Sequence, residues 1–228
     1  MSRINLLAAA IAHEISQPLA SVLANGYAAR RWLAMEPPNL EEVRNAVAEI
    51  ILATDRACTV TAGIRDLLSK RPRQDVLVDI NETILQALTL ADSELKSSAV
   101  TLRTEFASDL PAVAGDPVQL QQVVLNLVTN GVEAMSSIDG QSRELSIRSA
   151  IDPSGVLIQV CDSGRGFKSS VARKIFEPFF TTKPHSLGLG LSISRSIIEA
   201  HGGLLWAVSE HSHGAVFQFN LPKAKDFR

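Results

Sequence analysis

From Val43 to Leu68 one pattern runs unbroken: Val43, Val47, Ile50, Thr54, Ala57, Thr61, Ile64 and Leu68 recur at alternating steps of four and three. That spacing is the seam of a helix packed lengthwise on another helix, and a strand cannot present it. A partner precedes it, with Ile4, Ile11, Ile15, Val22, Ala29 and Leu33 at steps of seven and four. In "MEPPNLEE", Pro37 and Pro38 end the first helix, and Asn39 with Glu42 three residues on caps the second. Residues 1–72 therefore read as an antiparallel helical hairpin. A lone hairpin cannot bury both seams, so two copies are expected to form a dimeric four-helix bundle; the other outlet is packing against the same chain.

The pattern changes after "SKRPRQDV", a charged linker containing Pro72. Residues 73–228 hold strand-like runs rich in β-branched and aromatic residues: "VLVDI", "LRTEFA", "ELSIRSAI", "VLIQVCD", "LLWAVS" and "AVFQFNL". Helical patterns cover about 81–98, 117–136 and 189–200. The expectation is an α+β chain whose second domain is a two-layer α/β sandwich, one sheet with helices on one face.

Composition narrows the class. A net charge of −2 leaves no basic footprint for nucleic acid. Cys58 and Cys161 lie far apart and fit buried thiols of a reducing compartment. Arg3 before the apolar run Ile4–Ala12 imitates a secretory leader, but the helical pattern continues through it, and no run reaches the ~18 apolar residues of a membrane span.

The helix at 117–136 is the first functional signal. Asp116-Pro117 is a strong helix start. Gln119, Gln122, Asn126, Asn130 and Glu133 then fall in one narrow sector, between apolar neighbours. A surface helix has a wide polar face, so this slit is expected to line a polar cavity. Downstream, "CDSGRGF" places Asp162 at a strand end with Gly164 and Gly166 in a tight turn. "FEPFFTTKPHSLGLGLSIS" ends with Gly188 and Gly190 opening a helix, where backbone amides can approach phosphate oxygens. Each signal is weak alone; together and in this order they are strong.

These segments, with "AHEISQPL" near the start, make the chain resemble a bacterial two-component sensor histidine kinase core over essentially its whole length. "AHEISQPL" resembles the phosphoacceptor box of the His-Glu-x-x-Gln-Pro-Leu subgroup, and "NLVTNGVEAM" the asparagine box. "DSGRGF" and "SLGLGLSIS" resemble the two glycine boxes, with "FEPFFTTK" between them. The resemblance implies a dimerisation and phosphoacceptor domain at 1–72 and an ATP-binding domain of Bergerat fold at 73–228. It implies that His13 accepts the γ-phosphoryl group of ATP, while Glu14 orients it and takes its proton. Asn130 would hold Mg²⁺, Asn126 would serve the phosphate end, and Asp162 would bind the adenine amino group. Gly164, Gly166, Gly188 and Gly190 would let the backbone close over the nucleotide, and Lys183 would reach the γ-phosphate. The implied partners are a second copy of the chain and the receiver domain of a response regulator. An upstream sensor domain is expected outside the chain, and a cytoplasmic location, with membrane attachment of a longer protein left open.

The residues agree with that chemistry. Neutral imidazole is a competent nucleophile near neutral pH. His13 points away from Ile11 and Ile15, and its helical neighbours Ala9, Ser16 and Ala20 are small, which leaves room for a bulky partner. Pro18 frees the Glu14 carbonyl and is expected to bend the helix there. Three positions depart from the family pattern: Gly131 replaces the usual alanine, Ser186 stands at the first glycine of the second box, and Gln17 stands where many relatives place a hydrolytic water with Thr or Asn. The related ATP-hydrolysing chaperones and topoisomerases carry glutamate at the place of Asn126 and lack the His13 hairpin. His185, His201, His211 and His213 receive no role from the sequence. The Pro- and Thr-rich loop 177–187 is expected to close over bound nucleotide.

Overall fold

A computed structural model describes residues 3–68, 75–136, 142–182, 188–209 and 214–224, and within the two long helices it leaves out the side chains of residues 3–15, 17, 52, 55, 56 and 58–68. The chain separates into two compact units, one built on Met1–Lys70 and one comprising Arg71–Thr181 and Gly188–Arg228. The expected boundary at 72–73 lies outside the described residues.

The first unit is the expected hairpin, α1 (Arg3–Leu33) and α2 (Leu40–Leu68). Helix α1 continues through Pro18, and Asn39 Oδ1 accepts from the Glu42 N–H at 3.3 Å, the predicted cap. Small residues make the contact within the chain, with Ala29, Ala46 and Ala53 buried. The larger side chains of the heptad pattern lie further out: Val47 is 44% exposed and Leu33 52%.

The second unit runs β1 (Val76–Val78), α3 (Ile80–Ser97), β2 (Thr101–Phe106), β3 (Val113–Gly115), α4 (Pro117–Met135), β4 (Glu144–Asp152), β5 (Gly155–Asp162), α5 (Gly190–Ala200), β6 (Leu204–Ser209) and β7 (Ala215–Pro222). Two 3-10 turns, Ser169–Val171 and Lys174–Phe176, fall between β5 and α5. The expectation of a single sheet is corrected. Five strands form one sheet in the order β2-β4-β5-β7-β6, while β1 and β3 form a separate antiparallel ribbon. In the large sheet β2 and β4 are parallel and the other pairs antiparallel.

Alternation along the strands sets the two layers. Leu145 and Ile147 of β4, Ile158 and Val160 of β5, and Phe217 and Phe219 of β7 are buried with the apolar faces of α3, α4 and α5 in one core. Asp162 closes β5 in the same parity as Ile158 and Val160. The strand register therefore puts a carboxylate on the core-facing side of the sheet, where it is 6% exposed. Two of these helices, α3 and α4, start on side-chain caps. Asp79 Oδ1 accepts from Asn81 N–H at 2.9 Å, and Asp116 Oδ1 from Val118 N–H at 3.0 Å.

Candidate functional site

Helix α4 carries the site. Leu120, Val123, Val124, Leu127 and Val128 are fully buried, and the polar stripe lies on the part of the helix that reaches the surface. On that part Gln119, Gln122, Asn126 and Asn130 are half-buried and Glu133 is exposed. The stripe is thus partly open to solvent along its length, rather than enclosed within the domain.

Asp162 meets α4 at Gly131. A Cβ at position 131 would stand 2.8 Å from Leu145 Cδ1 and 3.3 Å from Asp162 Cβ. The glycine that departs from the family pattern thus sits where the helix comes closest to the carboxylate. Asp162 Oδ1 accepts from the Gly164 N–H at 2.8 Å, which fixes the carboxylate against the turn that follows. Buried carboxylates need such donors, since an unpaired one costs several kcal/mol.

The turn is held from the other side by a residue the sequence did not single out. Ser209 Oγ accepts from the Phe167 N–H and donates to the Gly214 carbonyl, each at 2.8 Å. Gly166 lies in the left-handed region at φ 62°, and a Cβ there would overlap Ser209 Oγ. Cys161, beside Asp162, points to the opposite face of the sheet. Burial pushes its thiol up, and the nearby Asp162 charge adds to the effect against a hydrogen bond from Ser146.

The third element is the start of α5. No side chain caps this helix, so its first-turn amides have no capping side chain. Gly190, its first residue, packs on Asn126: a Cβ there would fall 2.2 Å from Asn126 Oδ1. The Asn126 amide donates to Ser194 Oγ at 2.9 Å, and Ser194 is itself buried. Gly188, at φ 63°, packs on the Phe180 carbonyl, and its own carbonyl accepts from the Phe179 N–H at 3.2 Å.

Along α4, then, Asn126 touches the start of α5 and Gly131 touches Asp162, about 7.5 Å further on at 1.5 Å per residue. Asn130 lies between them. Asn126 is thus joined to Gly190, and Asp162 to Gly131 and Gly164, with Gly166 and Gly188 shaping the adjoining turns. His13 and Glu14 lie on α1 in the other unit, and their side chains are outside the described residues. Lys183 and Ser186, with the rest of the loop at 183–187, lie outside them altogether, as do His185, His211 and His213. Sequence reasoning missed Ser194, Ser209 and His201, the last a buried residue bonded to both α4 and α5.

Comparison with known proteins bears on the same segments. The family of histidine kinase-, DNA gyrase B- and HSP90-like ATPases matches residues 115–225, from the residue before Asp116 to beyond β7. The sensor histidine kinase TmoS of Ectopseudomonas mendocina is 36% identical over 94% of this chain and 22% of its own length. The sensor protein FixL of Bradyrhizobium diazoefficiens is 36% identical over 99% of this chain and 45% of its own. The chain therefore spans less than half the length of these relatives. Among solved structures, the catalytic domain of histidine kinase ThkA is 34% identical with a TM-score of 0.59, covering 66% of this chain and 96% of that domain. ThkA in complex with response regulator protein TrrA aligns over 96% of this chain and 61% of that one, with TM-score 0.74 and 29% identity.

Proposed function

The chain belongs to the histidine kinase family, and from this we propose that it binds ATP between α4, the Asp162 turn and the start of α5, and transfers the γ-phosphoryl group to His13. The observation that carries the reading is the single helix α4, on which Asn126 packs against a glycine-opened helix start and Gly131 against a buried carboxylate, with Asn130 between them along the helix. Asp162 accepts a hydrogen bond from the adenine amino group while the Gly164 amide holds its other side. The first-turn amides of α5 and the amide of Asn126 serve the phosphate end, with Lys183 at the γ-phosphate. Gly166 and Gly188 let the adjoining turns run close to the nucleotide.

Among the described residues no cluster of His, Cys, Asp and Glu could hold a metal ion. Mg²⁺ would arrive on the phosphates with few protein ligands; Asn130 would give one oxygen, and the ion would neutralise phosphate charge. In the transfer, a ring nitrogen of His13 attacks the γ-phosphorus, the bond to the β–γ bridging oxygen breaks, and ADP leaves. Glu14 takes the proton released by the imidazole. The phosphoryl group then passes to an aspartate of a response regulator receiver domain.

The functional unit is a homodimer. Residues 1–72 of two copies form a four-helix bundle, and residues 73–228 form the ATP-binding domain of each. This is supported by Leu19, Leu23, Tyr27, Leu40 and Ile51, which are all more than half exposed in the single chain. An upstream sensor domain would set the activity. Among the described residues, no helix is long and apolar enough to cross a membrane, and a cytoplasmic site of action fits the reaction. Incubation with ATP labelled at the γ- or at the α-phosphate tests the reading. Label from the γ-position alone should become covalently attached; labelling from both or neither contradicts phosphoryl transfer.

A further inference from the structure

His201 ends α5 and is 4% exposed. Nε2 accepts from the Asp116 N–H at 3.0 Å, so Nε2 carries no proton, and Nδ1 donates to the Ile197 carbonyl at 2.7 Å. The first bond is interhelical, because Asp116 is the N-cap of α4. Room for the ring comes from Gly115, where a Cβ would stand 2.6 Å from His201 Cδ2.

The contact has a counterpart at the other end of the same helix pair. Asn126 packs on Gly190 and donates to Ser194, so α4 and α5 run antiparallel with polar contacts at both ends. The spans match. Asp116 to Asn126 covers about 15 Å of helix axis and Gly190 to His201 about 16 Å. Resting on the ATP-site reading, we propose that His201 is a positioning residue for the phosphate end of the site. Its bond to Asp116 sets the axial register of α5 against α4, and with it the place of the first-turn amides beside Asn126 and Asn130. Asp162 meets α4 on the far side of Asn130, through Gly131, so the adenine end does not depend on this register.

Two substitutions separate the bonds. In His201→Gln the side-chain oxygen can reach the place of Nε2 and accept from Asp116. In His201→Asn the shorter amide can donate to Ile197 but falls short of Asp116. Gly115→Ala crowds the ring while keeping the histidine. Binding of ATP and of adenosine to the full chain is measured by calorimetry, beside the melting temperature. The expected result is that His201→Gln binds ATP within threefold of wild type, while His201→Asn and Gly115→Ala lose at least tenfold for ATP and less than twofold for adenosine. ATP affinity in His201→Asn within twofold of wild type overturns the proposal, as does equal loss for ATP and adenosine tracking the melting temperature, including in His201→Gln. Wild-type protein that binds neither ligand contradicts the ATP-site reading itself.

Discussion

Gly131 of α4 and Asp162 of β5 lie so close that a Cβ at 131 would come within 3.3 Å of the Asp162 Cβ. The helix can approach the carboxylate at this distance because position 131 has no side chain. The same Cβ would press on Leu145 Cδ1 at 2.8 Å, and Leu145 is fully buried.

Gly131→Ala sets two effects against each other. Helix propensity favours alanine by about 1 kcal/mol, while overpacking a closed core costs roughly 1–3 kcal/mol. The crowding should win. Urea denaturation is expected to show a net loss of about 1 kcal/mol, with ATP binding weakened several-fold; a gain in stability would show that Leu145 yields freely.

Asp162→Asn keeps an oxygen for the Gly164 N–H but offers an N–H where the adenine amino group also donates. A lost hydrogen bond to a charged group, with a donor left unpaired, is worth about 1.5–3 kcal/mol, or more than tenfold in affinity. Inosine triphosphate lacks that amino group. Wild type should therefore prefer ATP strongly over inosine triphosphate, and the variant should lose the preference. A preference unchanged by the substitution would remove Asp162 from the adenine site.

Gly190→Ala places a methyl group on Asn126 Oδ1, with no room for both. The expected cost is about 1–3 kcal/mol of stability and at least tenfold in ATP affinity. Adding Asn126→Ala should restore much of the stability and none of the binding, since the two positions are in contact and couple. Strictly additive losses in a double-mutant cycle would contradict the contact.

Leu23 and Ile51 are 59% and 57% exposed on the hairpin. If a second copy covers them, Leu23→Glu with Ile51→Glu should give a monomer by light scattering while the helical content is kept. Wild type should be a dimer at about 10 μM, a modest demand for an obligate interface. A monomeric wild type at that concentration rules out the bundle.

Much of this was legible because the relevant forces are local. The 3.6-residue periods, Asp116-Pro117 and the Asn39 cap located the helices, and runs rich in β-branched and aromatic residues located the strands of the large sheet. Asp162 and the motif glycines stood out because each breaks the pattern around it. The illegible parts depend on partners distant in sequence. Strand β3 is three residues long, has no alternation to read, and exists because Val76–Val78 pairs with it. Ala46 and Ala53 form the close contact in the hairpin, yet small residues score poorly beside Val47 and Ile50, so the apolar pattern pointed to the larger neighbours. His201 gains its importance from Asp116, 85 residues away, and nothing near it in sequence reveals that.

The central claim is that His13 receives the γ-phosphoryl group held by α4, the Asp162 turn and α5. The most direct measurement incubates wild type and His13→Ala with γ-labelled ATP and Mg²⁺, then splits each sample between acid and base. Wild type should carry label that is lost in acid and kept in base, as a phosphorus–nitrogen bond requires, and His13→Ala should carry none while binding ATP with unchanged affinity. Label of the same kind on His13→Ala, or acid-stable label on wild type, would contradict the account.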